Sequence, residues 1–405
     1  MMDRQLVNIL ESAYKASEYY RDLFNSVGLS LNDLTDISNF YKIPTLTRSL
    51  LRNNSETILS REYKYLKRKH LLTIQTSGST GEFVDVFWHP KDFICSNLSL
   101  WRKRREWYGV TSSQKKCSFV SGTTFGATVT GNNKSLFTLS DSTLELSVLN
   151  MSDEVLEKYY KLLVDFEPIW IYTTPSAMIK FIDYCVRRGY KNFRALKYIE
   201  LASEQVLPSS YAYIKDFFHV PVSIMYGCKE TNAIALTCPT HNKLHVLNDN
   251  VFIERTHDNK ILVTSLKNTV YPIIRYEVGD IGILSDEGCE CGQSDLVIEK
   301  IKGRERTLAH ITKNGVTTSA LIDSLYVVNA RLDYPIIQYK IFDNSCDVVI
   351  QLIIKHNFIN WEESIRREIN ACLQNYGLSF KGIIIDISEK PLDIDDTGKL
   401  KLLES

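Results

Sequence analysis

Apolar and polar positions follow two rhythms along this chain, a helical one and a strand-like one, and their order sets the expected architecture. The opening MMDRQLVNILESAYKASEYY has the apolar spacing of an amphipathic helix, and residues 1–60 read as helices with a polar linker ending in FYKIPTLTRSLLRNN. Short apolar runs then alternate with longer amphipathic stretches. In order they are LLTIQ, a helix at 90–106, CSFVSG, a helix near 152–165, IWIYTT, a helix at 175–188, KYIELAS, a helix at 208–217, and VPVSIMYG. That alternation predicts a largely parallel sheet with helices on its faces. Ligands gather at the carboxyl ends of such strands, where TSGSTG, TTPS, ASEQ and YGCKE all fall.

From Leu244 to Leu284 the pattern turns β-rich, with HVLNDNVFIER, KILVTSL and IIRYEVGDIGIL as strands and DNK as a turn. After KGRER at 302–306 a compact α+β unit is expected. It comprises a short strand with a KNG turn, a helix near 319–329, strands around 335–342 and 347–355, a helix at 360–374, and the strand GIIIDI. The fold class is therefore α/β. A large domain spans 1–302, with a strand-rich subdomain at about 244–300, and a small α+β domain spans 303–405. No internal repeat or low-complexity tract is present.

Composition narrows the classes of function. The 405 residues exceed one small core, and 44% hydrophobic with 24% charged residues is an ordinary globular balance. Lys plus Arg and Asp plus Glu each total 48, so no net field draws the chain to nucleic acid or to an anionic membrane. The basic runs at 64–70 and 102–107 are short and read as solvated helix faces. Charges interrupt the N-terminal region where a signal peptide needs an apolar core, and no run approaches the ~20 uncharged residues of a spanning helix. A cytoplasmic protein without nucleic-acid or membrane partners is expected. Nine cysteines, an odd count, favour reduced thiols or metal ligands over a disulfide framework.

The segment LLTIQTSGSTGEF sets hydroxyl residues and glycines directly after an apolar run. Glycine lets backbone N–H groups approach an anion closely, and Ser and Thr add hydroxyl donors. The spacing does not match the G-x-x-x-x-G-K-[ST] nucleotide loop. On local composition a phosphate cradle and a simple turn stand level.

Read together, TSGSTG (76–81), ASE (202–204), YGCKE (226–230), YEVGD (276–280), GR (303–304) and TGK (397–399) resemble the ordered signature motifs of adenylate-forming enzymes, the acyl-CoA synthetase/ligase superfamily. IYTTPSAM, YPIIRY before the VGD, the CxC after it and the IPTLTR lead-in are similar to the phenylacetate:CoA ligase branch, which includes capsule-biosynthesis relatives. The resemblance implies that Thr76, Ser77, Gly78, Ser79, Thr80 and Gly81 hold the β- and γ-phosphates of ATP. It sets adenine beside Ala202, Ser203 and Glu204, with Tyr226 and Gly227 adjacent and the Tyr226 ring as an aromatic face. Glu230 would hold Mg²⁺, Asp280 the ribose hydroxyls with Arg304 nearby, and Lys399 the α-phosphate and carboxylate during adenylation. Phe125, Tyr172, Thr174 and Cys228 are the candidate acid-pocket positions.

The implied reaction converts a carboxylate, aromatic or otherwise apolar, into an acyl-adenylate with release of pyrophosphate. A thiol of coenzyme A or of an acyl-carrier protein then displaces AMP. Transfer to an amine, a hydroxyl or a protein cysteine is the alternative, and a nucleotide-binding module without catalysis is another. A homodimer is left open.

The chain departs from the family pattern at several points. Lys229 replaces a threonine and adds a positive charge beside the expected carboxylate or α-phosphate position. Glu277 and Val278 replace arginine and threonine, Thr307 stands at the hinge position, and Glu82 stands where the phosphate turn usually ends in lysine. Cys238, Cys289 and Cys291 with His245, preferred to His241, supply ligands suited to tetrahedral zinc, which members of this branch can carry. Reduced thiols without metal are the competing reading, because CxC is a weaker signal than paired CxxC motifs.

Overall fold

The computed structural model describes residues 4–64, 68–76, 84–120, 136–191, 193–285, 287–312, 316–333, 335–343, 347–355, 362–375, 382–388, 390–395 and 399–404. The chain divides into two compact units, Met1–Gly109 with Met225–Gly303, and Val110–Ile224 with Arg304–Ser405.

In the first unit, helix Arg4–Ala16 buries Leu6, Ile9, Leu10 and Ala13, the i, i+3, i+4, i+7 stripe of an amphipathic helix. Ser17 ends it and caps the next helix, Glu18–Ser26, by accepting from the Tyr20 amide. Both helices share a core with Trp88, Tyr271 and Ile273. Strand Leu72–Thr76 pairs antiparallel with Val84–Trp88, with Thr76 opposite Val84. The remaining strands of this unit also run antiparallel where their registers are defined. Val251–Arg255 pairs with Lys260–Ser265, which pairs with Tyr276–Ser285. Leu244–Val246 lies between Asn232–Thr237 and Val297–Arg304.

The second unit holds the parallel part. Lys116–Val120 is flanked by Thr143–Ser147 and Trp170–Thr173, which in turn pairs with Tyr198–Ala202. Phe137–Leu139 adds an antiparallel edge. Helices Asp153–Phe166, Pro175–Arg188 and Pro208–Phe218 follow the expected spans within a residue or so. Residues 304–405 form a four-stranded sheet, ordered Ile383–Ile387, Val348–Ile354, Ile336–Asp343, Leu403–Glu404, with helices Thr318–Arg331 and Glu362–Asn375. Ile337, Ile353 and Leu392 complete the core of Ile199, Ile214 and Val222. The Ser209 and Ser210 hydroxyls donate to the carbonyls of Ile336 and Ile337, and Asn329 Nδ2 donates to Ser209 Oγ at 2.9 Å.

Two expectations are corrected. A largely parallel sheet holds for the second unit only; LLTIQ belongs to an antiparallel pair. VDVFW, to which no element is assigned between LLTIQ and the helix at 90–106, is the second strand of that pair, and the helix divides at Asn97 into Pro90–Ser96 and Leu98–Tyr108. Five residues in which Val84, Val86, Phe87 and Trp88 are all buried give no clean alternation to read. Among the described residues no helix is long and apolar enough to cross a membrane.

Candidate active site

The lead-in IPTLTR fixes one side of the site in the first unit. The Leu46 amide donates to the Arg275 carbonyl at 2.9 Å, and the Glu277 amide donates to the Leu46 carbonyl at 3.0 Å. Thr45 Oγ1 donates to Glu277 Oε1 at 3.0 Å, which gives this departure from the family pattern a local partner. Thr47 then caps helix Arg48–Asn53 by accepting from the Leu50 amide. Arg48, its first residue, donates through Nη2 to Thr76 Oγ1 at 2.7 Å and reaches Glu230 Oε1 from Nη1 at 3.5 Å. The Tyr276 hydroxyl donates to the same Glu230 oxygen at 2.8 Å. Thr76 Oγ1 also accepts from the Val84 amide at 3.2 Å, so this hydroxyl joins hairpin and guanidinium.

Glu230 is only 4% exposed, and a buried carboxylate is tolerated when cationic and hydroxyl donors surround it. Burial first, then the Glu230 charge, pushes the Tyr276 phenol far above its usual range, so it stays a hydroxyl donor. Glu230 sits in the connection between strands Val222–Cys228 and Asn232–Thr237, not at a helix start where a carboxylate would serve the dipole. The connection is tight. A Cβ at Gly227 would lie 2.6 Å from the Asn232 carbonyl oxygen, so glycine is required there by close approach of backbone. Lys229 donates to the Gln75 carbonyl at 2.9 Å, and burial lowers its ammonium pKa while Glu230 opposes the shift. The Cys228 thiol, 3.2 Å from Thr231 Oγ1, is held strongly neutral, by burial first and by Glu230 second. Further along the same strand, the Tyr226 hydroxyl donates to Asp280 Oδ2 at 2.8 Å. Asp280 is 6% exposed.

The second unit carries the remaining candidates. Ala202 ends strand Tyr198–Ala202, and Ser203 follows with φ of 72°, a left-handed conformation unusual for serine and the kind of strain found at functional turns. Glu204 accepts from the Ser176 amide at 3.0 Å and the Ser176 hydroxyl at 2.6 Å, at the start of helix Pro175–Arg188. Its other oxygen accepts from the Leu400 amide at 2.6 Å, next to Lys399. Burial outweighs these donors and the Lys399 charge, and raises the Glu204 carboxyl to about 7. Thr174 caps that helix by accepting from the Ala177 amide at 3.3 Å, and Tyr172 lies half-buried in the preceding strand. Lys399 donates its backbone amide to Asp395 Oδ1 at 3.1 Å, and Arg304 precedes the short helix Glu305–Ala309.

A second constellation lies in the first unit. One ligand atom each from Cys238, His245, Cys289 and Cys291 fall within 4.8 Å of one another. The Cys238 and Cys289 sulfurs are 3.9 Å apart, and Cys291 Sγ is 3.5 Å from His245 Nε2. Tetrahedral zinc with bonds of about 2.3 Å to sulfur implies ligand separations of about 3.8 Å, so the donor set fits that ion in kind and in spacing. Burial opposes ionisation of Cys238, yet the backbone N–H groups of His241 and Lys243 and the His245 ring bring its thiol down to about 7. His245 is fully buried, with Nδ1 3.4 Å from Asp295 Oδ2, and Lys103 Nζ donates to that carboxylate at 2.6 Å. A carboxylate behind the imidazole is the usual means of orienting a metal-binding histidine. His241 stands outside the group, 3.9 Å from Glu290.

No family model matches the chain. Protein CapK of Staphylococcus aureus is 24% identical over 359 residues, covering 85% of this chain and 75% of its own length. The indoleacetate–lysine synthetase of Pseudomonas savastanoi is 29% identical over 126 residues, 30% of this chain and 31% of its own length. Among solved structures, 2-hydroxyisobutyryl-CoA ligase in its postadenylation state matches with a TM-score of 0.73 and 14% identity, over 99% of this chain and 88% of the other. The chain has the fold of adenylate-forming ligases. An acyl acid amido synthetase in complex with 2,4-DB shares this fold at a TM-score of 0.61 and 13% identity, over 95% and 85% of the two chains.

On the adenylate-forming fold, two groups of the sequence candidates come together, Thr76 with Glu230 through Arg48, and Tyr226 with Asp280 directly. Glu204 lies against the segment of Lys399. Ser77, Gly78, Ser79, Thr80, Gly81 and Phe125 lie outside the described residues. Sequence reading missed Arg48 and Tyr276. Both sit inside the IPTLTR and YPIIRY segments, but neither carries a signal of its own until pairing with Glu230 is seen.

Proposed function

We propose that the chain is an AMP-forming acid ligase that activates a small carboxylic acid, aromatic or otherwise apolar, as its acyl-adenylate with release of pyrophosphate. The acyl group then passes to a thiol of coenzyme A or a carrier protein. The observation that carries this reading is the convergence of Thr76 and the buried Glu230, with the Tyr226–Asp280 pair linking strands Val222–Cys228 and Tyr276–Ser285, in a chain of this fold. Glu230 would hold Mg²⁺, which prefers carboxylate and phosphate oxygens and would supply charge for the triphosphate. Asp280 would accept from the ribose hydroxyls with Tyr226 orienting it, and Lys399 would neutralise the charge that develops during adenylation. No protein nucleophile is needed, since the substrate carboxylate attacks phosphorus; the neutral Cys228 thiol accords with that.

Cys238, His245, Cys289 and Cys291 would hold zinc with all four positions filled, a structural role that pins Leu244–Val246 and the 288–295 segment. Acyl transfer to an amine is a second reading, favoured by the likeness to an indoleacetate–lysine synthetase and an acyl acid amido synthetase. The test is AMP release from ATP with each acid of a panel, followed by addition of coenzyme A, a phosphopantetheine carrier or lysine. Thiol-dependent AMP release supports the first reading, amine-dependent release the second. Release with neither, and no hydroxamate on trapping with hydroxylamine, would sink both.

A further inference from the structure

We propose that Lys103 is a positioning residue of the metal centre, acting through Asp295, and that it couples metal binding to the anchoring of helix Leu98–Tyr108. This inference rests on the reading of Cys238, His245, Cys289 and Cys291 as ligands of one ion. The basic run at 102–107, expected as a solvated helix face, turns inward instead: Lys103 is 6% exposed and Arg104 7%. A lysine is seldom so deeply buried unless its charge is paired. Lys103 Nζ donates to Asp295 Oδ2 at 2.6 Å and to Gln293 Oε1 at 3.1 Å, and lies 4.5 Å from the centre of the Trp107 ring. Asp295 and Gln293 belong to the same short segment as Cys289 and Cys291.

The Asp295 oxygen that accepts from Lys103 is also the one that lies 3.4 Å from His245 Nδ1. That nitrogen is buried without a well-formed hydrogen bond, and Asp295 Oδ2 is the acceptor beside it. With Nε2 lying 3.5 Å from Cys291 Sγ, a ring held from its Nδ1 side presents Nε2 to the ion. Trp107, one helical turn beyond Lys103, meets the His245 ring edge-on at 5.3 Å. One face of the helix therefore backs the centre twice, through a carboxylate and through a ring contact. The alternative is that Lys103 only pins its helix by a buried ion pair. Such a pair contributes little over an apolar replacement, because desolvation offsets the attraction. Leu100 already packs the helix against Ala233, Leu236 and Leu247. What an apolar residue cannot do is hold a carboxylate, stripped of water, beside a histidine ring.

The test uses the full chain loaded with zinc and its Lys103→Met, Asp295→Asn and double variants. Zinc affinity is measured by competition with a chromogenic chelator, and hydrogen exchange over residues 98–108 is followed with and without zinc. Asp295→Asn is expected to weaken zinc about 10- to 100-fold, Lys103→Met about 10-fold, and the double variant no more than Asp295→Asn alone, since the lysine acts through the carboxylate. Zinc is expected to slow exchange across the helix in the wild-type chain and to lose that effect in Lys103→Met. Unchanged affinity in either single variant, or zinc-dependent protection that persists in Lys103→Met, would make the lysine a helix pin and overturn the proposal, even if stability falls. Should Lys103→Met not fold, Lys103→Gln, which keeps a donor without the charge, is judged by the same criteria. A wild-type chain that binds no zinc would overturn the metal reading and this one with it.

Discussion

Replacing Tyr276 with phenylalanine removes one hydroxyl and almost no volume, yet it takes away the closest donor to a buried carboxylate. Tyr276 is 2% exposed and Glu230 4%, so water cannot readily fill the position. A hydrogen bond to a charged group contributes about 1.5–3 kcal/mol, and a neutral one about 0.5–1.5. Tyr276→Phe should therefore lower stability by about 2 kcal/mol in the wild-type chain. In a Glu230→Gln background the partner is neutral and the loss should shrink to about 1 kcal/mol, a coupling of about 1 kcal/mol across the pair. Urea unfolding of the four chains of this cycle, followed by tryptophan fluorescence with slopes compared, measures it. If Tyr276→Phe costs the same with glutamate as with glutamine, the phenol is only packing, and the picture of a Glu230 held in place by charge-assisted bonding is wrong.

Three further outcomes are expected. Burial raises Glu204 from 4.5 to about 7, so the folded chain keeps a proton that the unfolded chain gives up between those values. Its contribution to stability is present below about pH 4.5 and lost as pH rises through 7, up to about 3 kcal/mol in all. Glu204→Gln should flatten that part of the stability–pH curve, and an unchanged slope would contradict it. One zinc per chain is expected by elemental analysis, and chelation or Cys291→Ser should lower the unfolding midpoint by the equivalent of several kcal/mol; a chain with no metal and no response to chelator would leave the cysteines as plain thiols. Gly227→Ala forces a Cβ to 2.6 Å from a backbone oxygen and should cost about 1–3 kcal/mol, seen in the same urea experiment.

Much of the fold was legible because helical and strand periods are long and well capped in this chain. Pro175 and Pro208 mark helix starts, and Gly109 and Gly189 mark ends, so those boundaries can be read from local chemistry alone. What could not be read was pairing. Whether a strand lies parallel or antiparallel is decided by which strand comes beside it, and nothing in LLTIQ announces that VDVFW folds back upon it. The site followed the same division. Glu230, Asp280 and the cysteine cluster stand in motifs whose residue types declare their chemistry. Arg48 is an ordinary arginine until the Leu46–Arg275 and Glu277–Leu46 backbone bonds bring residue 48 to residue 230. For Glu204 the motif carries the residue type, while the bonds that tie Ser176 to the Leu400 backbone through it are visible only in the fold.

The central claim is that this chain forms an acyl-adenylate. Carboxylate-dependent exchange of labelled pyrophosphate into ATP, run across aryl, fatty and amino acids, measures that step alone without regard to the final acceptor. Exchange with one class of acid, requiring Mg²⁺ and lost in Glu230→Gln and Lys399→Ala, is the expected result. ATP binding without exchange for any acid in the panel, or exchange that persists undiminished in Glu230→Gln, would contradict it.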